Sequence, residues 1–155
     1  WRDPWTDPLG GGFQAIQSLY AIGSGGLLGL GLGNSRQKFL YLPEEHNDFV
    51  FSIVCEELGY IGAAIVLILF ALLILRGYWL AVHARDRFGA LLIVGVTTLL
   101  AFQVFLNIGV VTNLFPVTGI SLPFFSYGGT ALMIQLLEMG IVLSVSRQIP
   151  APRAG

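Results

Sequence analysis

Ionisable side chains crowd one stretch of the chain: Arg36, Lys38, Glu44, Glu45, His46 and Asp48, followed by Glu56 and Glu57. These residue types support two kinds of chemistry. A carboxylate can take the proton from an attacking hydroxyl, and nearby cations can hold a departing anion. His46 with Glu45 and Asp48 offers metal-ligand types, but their spacing matches no recognised ligand signature. On residue type alone, Asp48 reads first as a helix N-cap, because Asp favours that position and Pro43 ends the preceding segment. Arg36 and Lys38 have bland readings too: pairing with Glu44 and Glu45, or snorkelling at a membrane surface. For Glu56 and Glu57, positioning or salt-bridge roles are favoured over metal ligation.

The elements that must position these groups belong to a membrane protein. Of 155 residues, 55% are hydrophobic and 11% charged, against about 25% charged in a soluble domain. Mean hydropathy is +0.77. The chain opens on Trp1 with no basic leader, and a fragment of a longer protein is expected. The single cysteine, Cys55, excludes an intrachain disulfide and a multi-cysteine metal site. Beside an apolar run, it is expected to be a small buried residue. A net charge of −1 offers no sign of nucleic-acid binding. The glycine-rich run Gly23 to Gly33 fails a strict G-x-G-x-x-G and follows no strand, so a dinucleotide site is rejected. Gly25, Gly29 and Gly33, four apart, suit close packing instead.

A spanning helix needs about 20 mostly apolar residues, and three segments qualify. The first is centred on Ile61 to Leu75, extending upstream through Phe49 to Cys55 and downstream to Trp79. Gly59 can bend it. The second runs from Phe88 to Val111 and the third from Tyr127 to Ser146. The expected fold is all-α, a polytopic membrane helix bundle preceded by a large extracytoplasmic loop with short amphipathic helices. Residues 1–47 form that loop, and 48–155 the spanning helices and tail. Within the loop, Phe13, Ile16, Leu19, Tyr20 and Ile22 recur at helical spacing, with Gln14, Gln17 and Ser18 between them. That pattern predicts a short helix lying on the membrane or packed over the bundle.

Basic residues set the orientation. Arg76, Arg85 and Arg87 follow the first span, Arg147 and Arg153 follow the third, and Thr112 to Ser126 carries no Lys or Arg. By the positive-inside rule the Arg85 loop and the C-terminal tail are cytoplasmic, and the Asp48 loop faces out. If the first helix continues straight, Asp48 sits about 12 Å beyond Glu56, at headgroup level. A carboxylate there meets water and lipid headgroups together, within reach of lipid-linked polar substrates. Within the spans, Gln103 and Asn107 share a helix face and should point into the bundle, as should Glu138 near mid-membrane.

Three blocks of sequence then become specific. Asp7-Pro8 with Gln14 and Gln17-Ser18 opens the loop. Gly33-Asn34-Ser35-Arg36-Gln37-Lys38 leads into Tyr41-Leu42-Pro43-Glu44-Glu45-His46-Asn47-Asp48-Phe49-Val50-Phe51, then Glu56-Glu57-Leu58-Gly59. Asn107-Ile108-Gly109 leads through Pro116-Val117-Thr118-Gly119-Ile120 to Leu122-Pro123-Phe124-Phe125-Ser126-Tyr127-Gly128-Gly129-Thr130. In this order, over nearly the whole chain, they resemble the FtsW/RodA/SpoVE (SEDS) family of bacterial peptidoglycan polymerases. Val110-Val111-Thr112-Asn113 and Glu138-Met139-Gly140 look more like the division and sporulation branch than the elongation branch.

The resemblance implies a multi-pass glycosyltransferase of the bacterial cytoplasmic membrane. Such an enzyme polymerises lipid II into β(1→4) glycan strands beside a class B penicillin-binding protein and other divisome proteins, with Mg²⁺ or Mn²⁺ assistance. By match to His46-x-Asp48-Phe49, Asp48 takes the place of the family's essential aspartate. Asn47 departs from the Thr common there. Lipid II carries an α-linked diphosphate and the product is β-linked, so the anomeric centre inverts. One carboxylate, Asp48, then suffices as general base, because a diphosphate leaves without an acid catalyst. Positive charge for the diphosphate falls to Lys38 and Arg36. His46 and Glu57 are candidate substrate-binding groups, as are Ser126 and Gly128 at a helix N-terminus, where N–H groups are free. Ser126 to Gly129 reads otherwise as an N-cap before tight helix packing. Two rival functions stay open, a flippase for the same lipid and a scaffold for the penicillin-binding protein. Polar groups gathered at one membrane face, with Glu138 alone deep in a span, favour the enzyme over the flippase.

Overall fold

The computed structural model describes residues 13–29, 31, 50–116, 118–125 and 128–149. All regular elements among them are helices: α1 (Phe13–Ser24), α2 (Val50–Val82), α3 (Arg87–Val111) and α4 (Gly129–Ser146). Helices α2, α3 and α4 are each long and apolar enough to cross a membrane. The second expected span agrees to within one residue. The third begins at Gly129, two residues later than expected, with Gly128 as an N-cap lacking a side-chain hydrogen bond.

Both ends of α3 have local causes. At its start, Asp86 is extended (φ −124°, ψ 151°) and its carboxylate accepts from the Gly89 N–H, at 2.7 Å, which satisfies a free donor of the first turn. At its end, Asn113 takes φ 60°, and the Leu114 and Phe115 N–H groups fold back onto the Gly109 carbonyl at 2.7 and 3.0 Å. Asn tolerates that left-handed position better than most residues, and it stops the helix.

Helix α2 packs along α3, and α4 closes against α3. One buried cluster joins Phe51, Cys55, Ala63 and Phe70 of α2 to Leu100, Val104, Val110 and Val111 of α3, with Leu122 from the following loop. A second joins Ala81, Ile93 and Val142 toward the Arg85 end. Cys55 is buried within the first cluster as a small apolar side chain. Close approach of α2 and α3 depends on Gly77, where an added Cβ would collide with the Thr97 side chain. Gly77→Leu is expected to destabilise the bundle by about 1–3 kcal/mol through overpacking. Thermal unfolding in detergent would read this, and an unchanged midpoint would contradict it.

Helix α2 is not straight. Gly59 adopts φ 69° and ψ −172°, a non-helical conformation that kinks it. Residues 60–82 rise about 34 Å, enough for the hydrocarbon core, so residues 50–58 form a separate stub. The first span is thus bent at Gly59, as the sequence allowed; the expected place of Asp48, about 12 Å beyond Glu56, lies outside the described residues.

Helix α1 packs over the bundle, against α2 and α3. Its buried face is Ala15, Ile16, Ser18 and Ala21, while Tyr20 is 54% exposed. This corrects the expected apolar face in two places. Ser18 turns inward because its hydroxyl donates to the Val111 carbonyl at 2.8 Å, and the small Ala15 and Ala21 allow the approach. Tyr20 points away.

Candidate functional site

The N-terminal end of α2, the C-terminal end of α3 and the loop after it gather at one end of the bundle. Phe51 and Cys55 share a core with Val110, Val111 and Leu122, with Ile22, Phe115 and Phe124 packed against it. Asp48, Arg36, Lys38, His46 and Ser126 lie outside the described residues, as does the Glu45 considered with His46. For Arg36, Lys38, Glu45, His46 and Asp48 the described residues that frame their segment are Gly31 on one side and Val50 on the other; for Ser126 they are Phe125 and Gly128.

Gly31 and the stub that Val50 begins are joined by a backbone clasp. The kink at Gly59 interrupts the helical ladder, and the glycine segment after α1 satisfies the groups set free. Tyr60 and Ile61 donate their N–H groups to the Gly26 and Leu27 carbonyls at 3.0 and 3.4 Å, and the Gly31 N–H donates to the Glu57 carbonyl at 3.1 Å. Side chains would keep these strands of backbone apart. An added Cβ would strike the Cys55 carbonyl from Gly25, the Glu57 carbonyl from Gly29, and the Gly29 nitrogen from Gly59. The packing role expected for Gly25 and Gly29 is therefore met by backbone-to-backbone contact; Gly33 lies outside the described residues.

The two acids of the stub differ. Glu56 is 1% exposed, on the inner face with Ser52. Glu57 is half-buried, and its Oε1 is shielded from solvent without a hydrogen-bond partner among the described residues. A buried carboxylate oxygen left so is costly, and it is the natural acceptor for a hydroxyl or a cation arriving from a substrate or another segment. Among the described residues, no three of His, Cys, Asp and Glu stand close enough to hold a metal ion. The divalent ion implied by the resemblance finds no cage among them.

The loop between α3 and α4 is held by two amides. Asn107, fully buried, donates from Nδ2 to the Ile120 carbonyl at 2.8 Å. Gln135 of α4 accepts the Phe124 N–H at 2.6 Å, in a loop where Gly119 and Phe124 have φ of 67° and 65°. These contacts fix the approach to Gly128, the N-cap of α4. Asn107 points inward as expected. Gln135 was not singled out from the sequence; a polar residue between Ile134 and Leu136 in an apolar helix was the available signal. Glu138 is half-buried, with no hydrogen bond or ion pair among the described residues.

The opposite end is chemically different. Arg76 lies 4.2 Å over the Trp79 ring, Trp79 stacks on His83, and Arg85, Arg87 and Arg147 are exposed. A cavity of about 320 Å³ opens toward that end, lined mainly by Leu73, Leu80, Leu100, Val142 and Leu143 with Arg76 at its edge. It holds no carboxylate and is remote in sequence from every candidate catalytic residue.

The family model for FtsW/RodA/SpoVE, described as a cell cycle protein, matches residues 1–150. The chain belongs to the FtsW/RodA/SpoVE family. Stage V sporulation protein E of Bacillus subtilis is 57% identical over 145 residues, covering 94% of this chain and 40% of the relative. A probable peptidoglycan glycosyltransferase FtsW from Geobacter metallireducens is 50% identical, covering 95% and 39%. Among solved structures, a chain of a peptidoglycan synthase complex superposes with a TM-score of 0.73 at 40% identity, covering 97% of this chain and 40% of that one. The rod shape determining protein RodA of Thermus thermophilus gives 0.64 at 39% identity, covering 87% and 40%. The chain thus spans about two fifths of the length of these relatives. Family membership and three apolar helices make it part of a multi-pass, all-helical bacterial membrane protein.

Proposed function

We propose that the full-length protein is a peptidoglycan glycosyltransferase, polymerising lipid II with inversion during division or sporulation, and that Asp48 is its general base. The observation that carries this reading is the joining of motif and frame. The His46-Asn47-Asp48-Phe49 motif enters directly on a stub clasped at one end of the bundle. Relatives named FtsW peptidoglycan glycosyltransferases and a chain from a peptidoglycan synthase complex support it.

In the proposed step the Asp48 carboxylate takes the proton of the acceptor sugar 4-hydroxyl. The oxygen forms a bond to the donor anomeric carbon from the face opposite the diphosphate. The bond from that carbon to the diphosphate oxygen breaks, and the lipid diphosphate leaves with the electron pair. Lys38 and Arg36 hold its charge, helped by Ser126 and the N–H groups that follow Gly128 at the start of α4. His46 and the unpartnered Glu57 oxygen bind the sugar hydroxyls. A class B penicillin-binding protein is the expected partner, crosslinking the strand as it emerges.

The assay is lipid II polymerisation by the full-length protein with that partner. Glycan strands support the enzyme; lipid movement without strands would favour a flippase, and neither would favour a scaffold. Orientation has its own test. A cysteine at Leu114, 67% exposed between α3 and α4, should react with an impermeant maleimide added outside the cell. A cysteine at Arg85 should react only after permeabilisation, and the reverse pattern would overturn the topology.

A further inference from the structure

An unbroken helix transmits direction along its own hydrogen-bond ladder. In α2 that ladder stops at Gly59, whose φ 69° and ψ −172° fall in a region essentially reserved for glycine. The bonds that replace it run to Gly26, Leu27 and Gly31, on a segment that continues from α1. Helix α1 is in turn anchored to the end of α3 by the bond from Ser18 to the Val111 carbonyl. The stub that follows Asp48 therefore hangs from a strut rooted on α3. Its inner face, Phe51, Ser52, Cys55 and Glu56, is buried, so it has little freedom once the strut is in place. Gly31, the last described residue before 50, is bound in the clasp, and Val50 begins the stub whose other end the clasp holds.

We propose that the glycine clasp, rather than the spanning body of α2, sets the direction of the stub 50–58, which the Asp48 motif directly precedes in sequence, and that Gly29 and Gly59 are therefore positioning residues for the transfer step. This rests on the reading of Asp48 as the base. The clasp has no tolerance for a side chain. At Gly29, with φ 78°, a Cβ would meet the Glu57 carbonyl and come within 2.7 Å of the Gly59 nitrogen. The stub must then move away from the glycine segment, and with it the point at which the Asp48 motif joins α2. Displacing a catalytic group by about 1 Å can cost about 10²-fold in rate.

The test uses the full-length protein with its penicillin-binding partner, comparing Gly29→Ala and Gly59→Ala with wild type. Lipid II kinetics and spin-label distances are measured together. Labels on cysteines replacing Ile53 and Leu75, in a cysteine-free background, report the stub against the spanning body of α2. The expected result is a kcat lower by about 10²-fold, with KM changed far less, and a broadened or shifted distance distribution. Ser18→Ala, which frees the far end of the strut without adding bulk, should move both readouts in the same direction by less. Gly95→Ala and Gly140→Ala, where a Cβ meets open space, should move neither. Unchanged distances in Gly29→Ala would overturn the clasp as the positioning element. Shifted distances with unchanged kcat would show that Asp48 does not depend on it. Full turnover in Asp48→Asn would sink the base reading instead, and the distances would still report whether the clasp holds the stub.

Discussion

Asn107→Leu is expected to destabilise the bundle by about 1–3 kcal/mol and to depress polymerisation with it. Leu keeps Asn's branched outline but puts two bulkier methyl groups in place of the amide, so the change removes the polar bonds and adds some overpacking. Asn107 is fully buried on α3, and its Nδ2 supplies the Ile120 carbonyl of the loop leading to α4. Without it, a carbonyl in a water-poor region loses its donor, and the loss is that group's full desolvation cost. The effect reaches function through the loop. From Ile120 the chain passes Leu122, which is fully buried, and Phe124, whose N–H is held by Gln135. It then arrives at Gly128 and the free N–H groups of α4, the proposed diphosphate cradle. Gln135→Leu should act on the same loop, and the double variant should lose less than the sum, since contacts on one element couple. Thermal unfolding in detergent with lipid II kinetics checks both. An Asn107→Leu protein of unchanged stability and KM would show that the loop is held by packing alone.

Three spans were legible because their causes are local. Ile61 to Leu75, Phe88 to Val111 and the run ending at Ser146 are mostly apolar stretches with an Arg at one end, and length against membrane thickness decides them. Cys55 was legible for the same reason. Gly59 was recognisable as a place where the first span can bend. What the bend does was not legible, because its partners Gly26, Leu27 and Gly31 lie about thirty residues away in sequence. Glycines four apart signal close approach and leave the partner unnamed. The inward turn of Ser18 is another long-range effect. Hydropathy assigns a serine to the wet face, and only the end of α3 supplies the carbonyl that draws it in. Gln135 escaped notice because a lone amide in an apolar helix carries no motif. The candidate site reversed this pattern. Asp48, Lys38, Arg36, His46 and Ser126 are legible through specific sequence motifs and lie outside the described residues, whereas the clasp is a structural finding that no motif announced.

The largest expected effect is at Asp48. Asn keeps the size and polarity of the side chain, and an amide cannot accept the acceptor hydroxyl's proton as a carboxylate does. A positioned general base contributes about 10²–10⁴-fold. The leaving diphosphate needs no acid partner, so the proposed step uses one carboxylate. Folding should survive, because an Asn also serves well as a helix N-cap, which separates the catalytic role from the bland one. The measurement is lipid II polymerisation by the full-length protein in complex with its class B penicillin-binding partner, wild type against Asp48→Asn. Glycan product falling by about 10²-fold or more, with expression and partner binding intact, is the predicted result. Undiminished product would contradict the account and move the chemistry to Glu57 or to the partner protein.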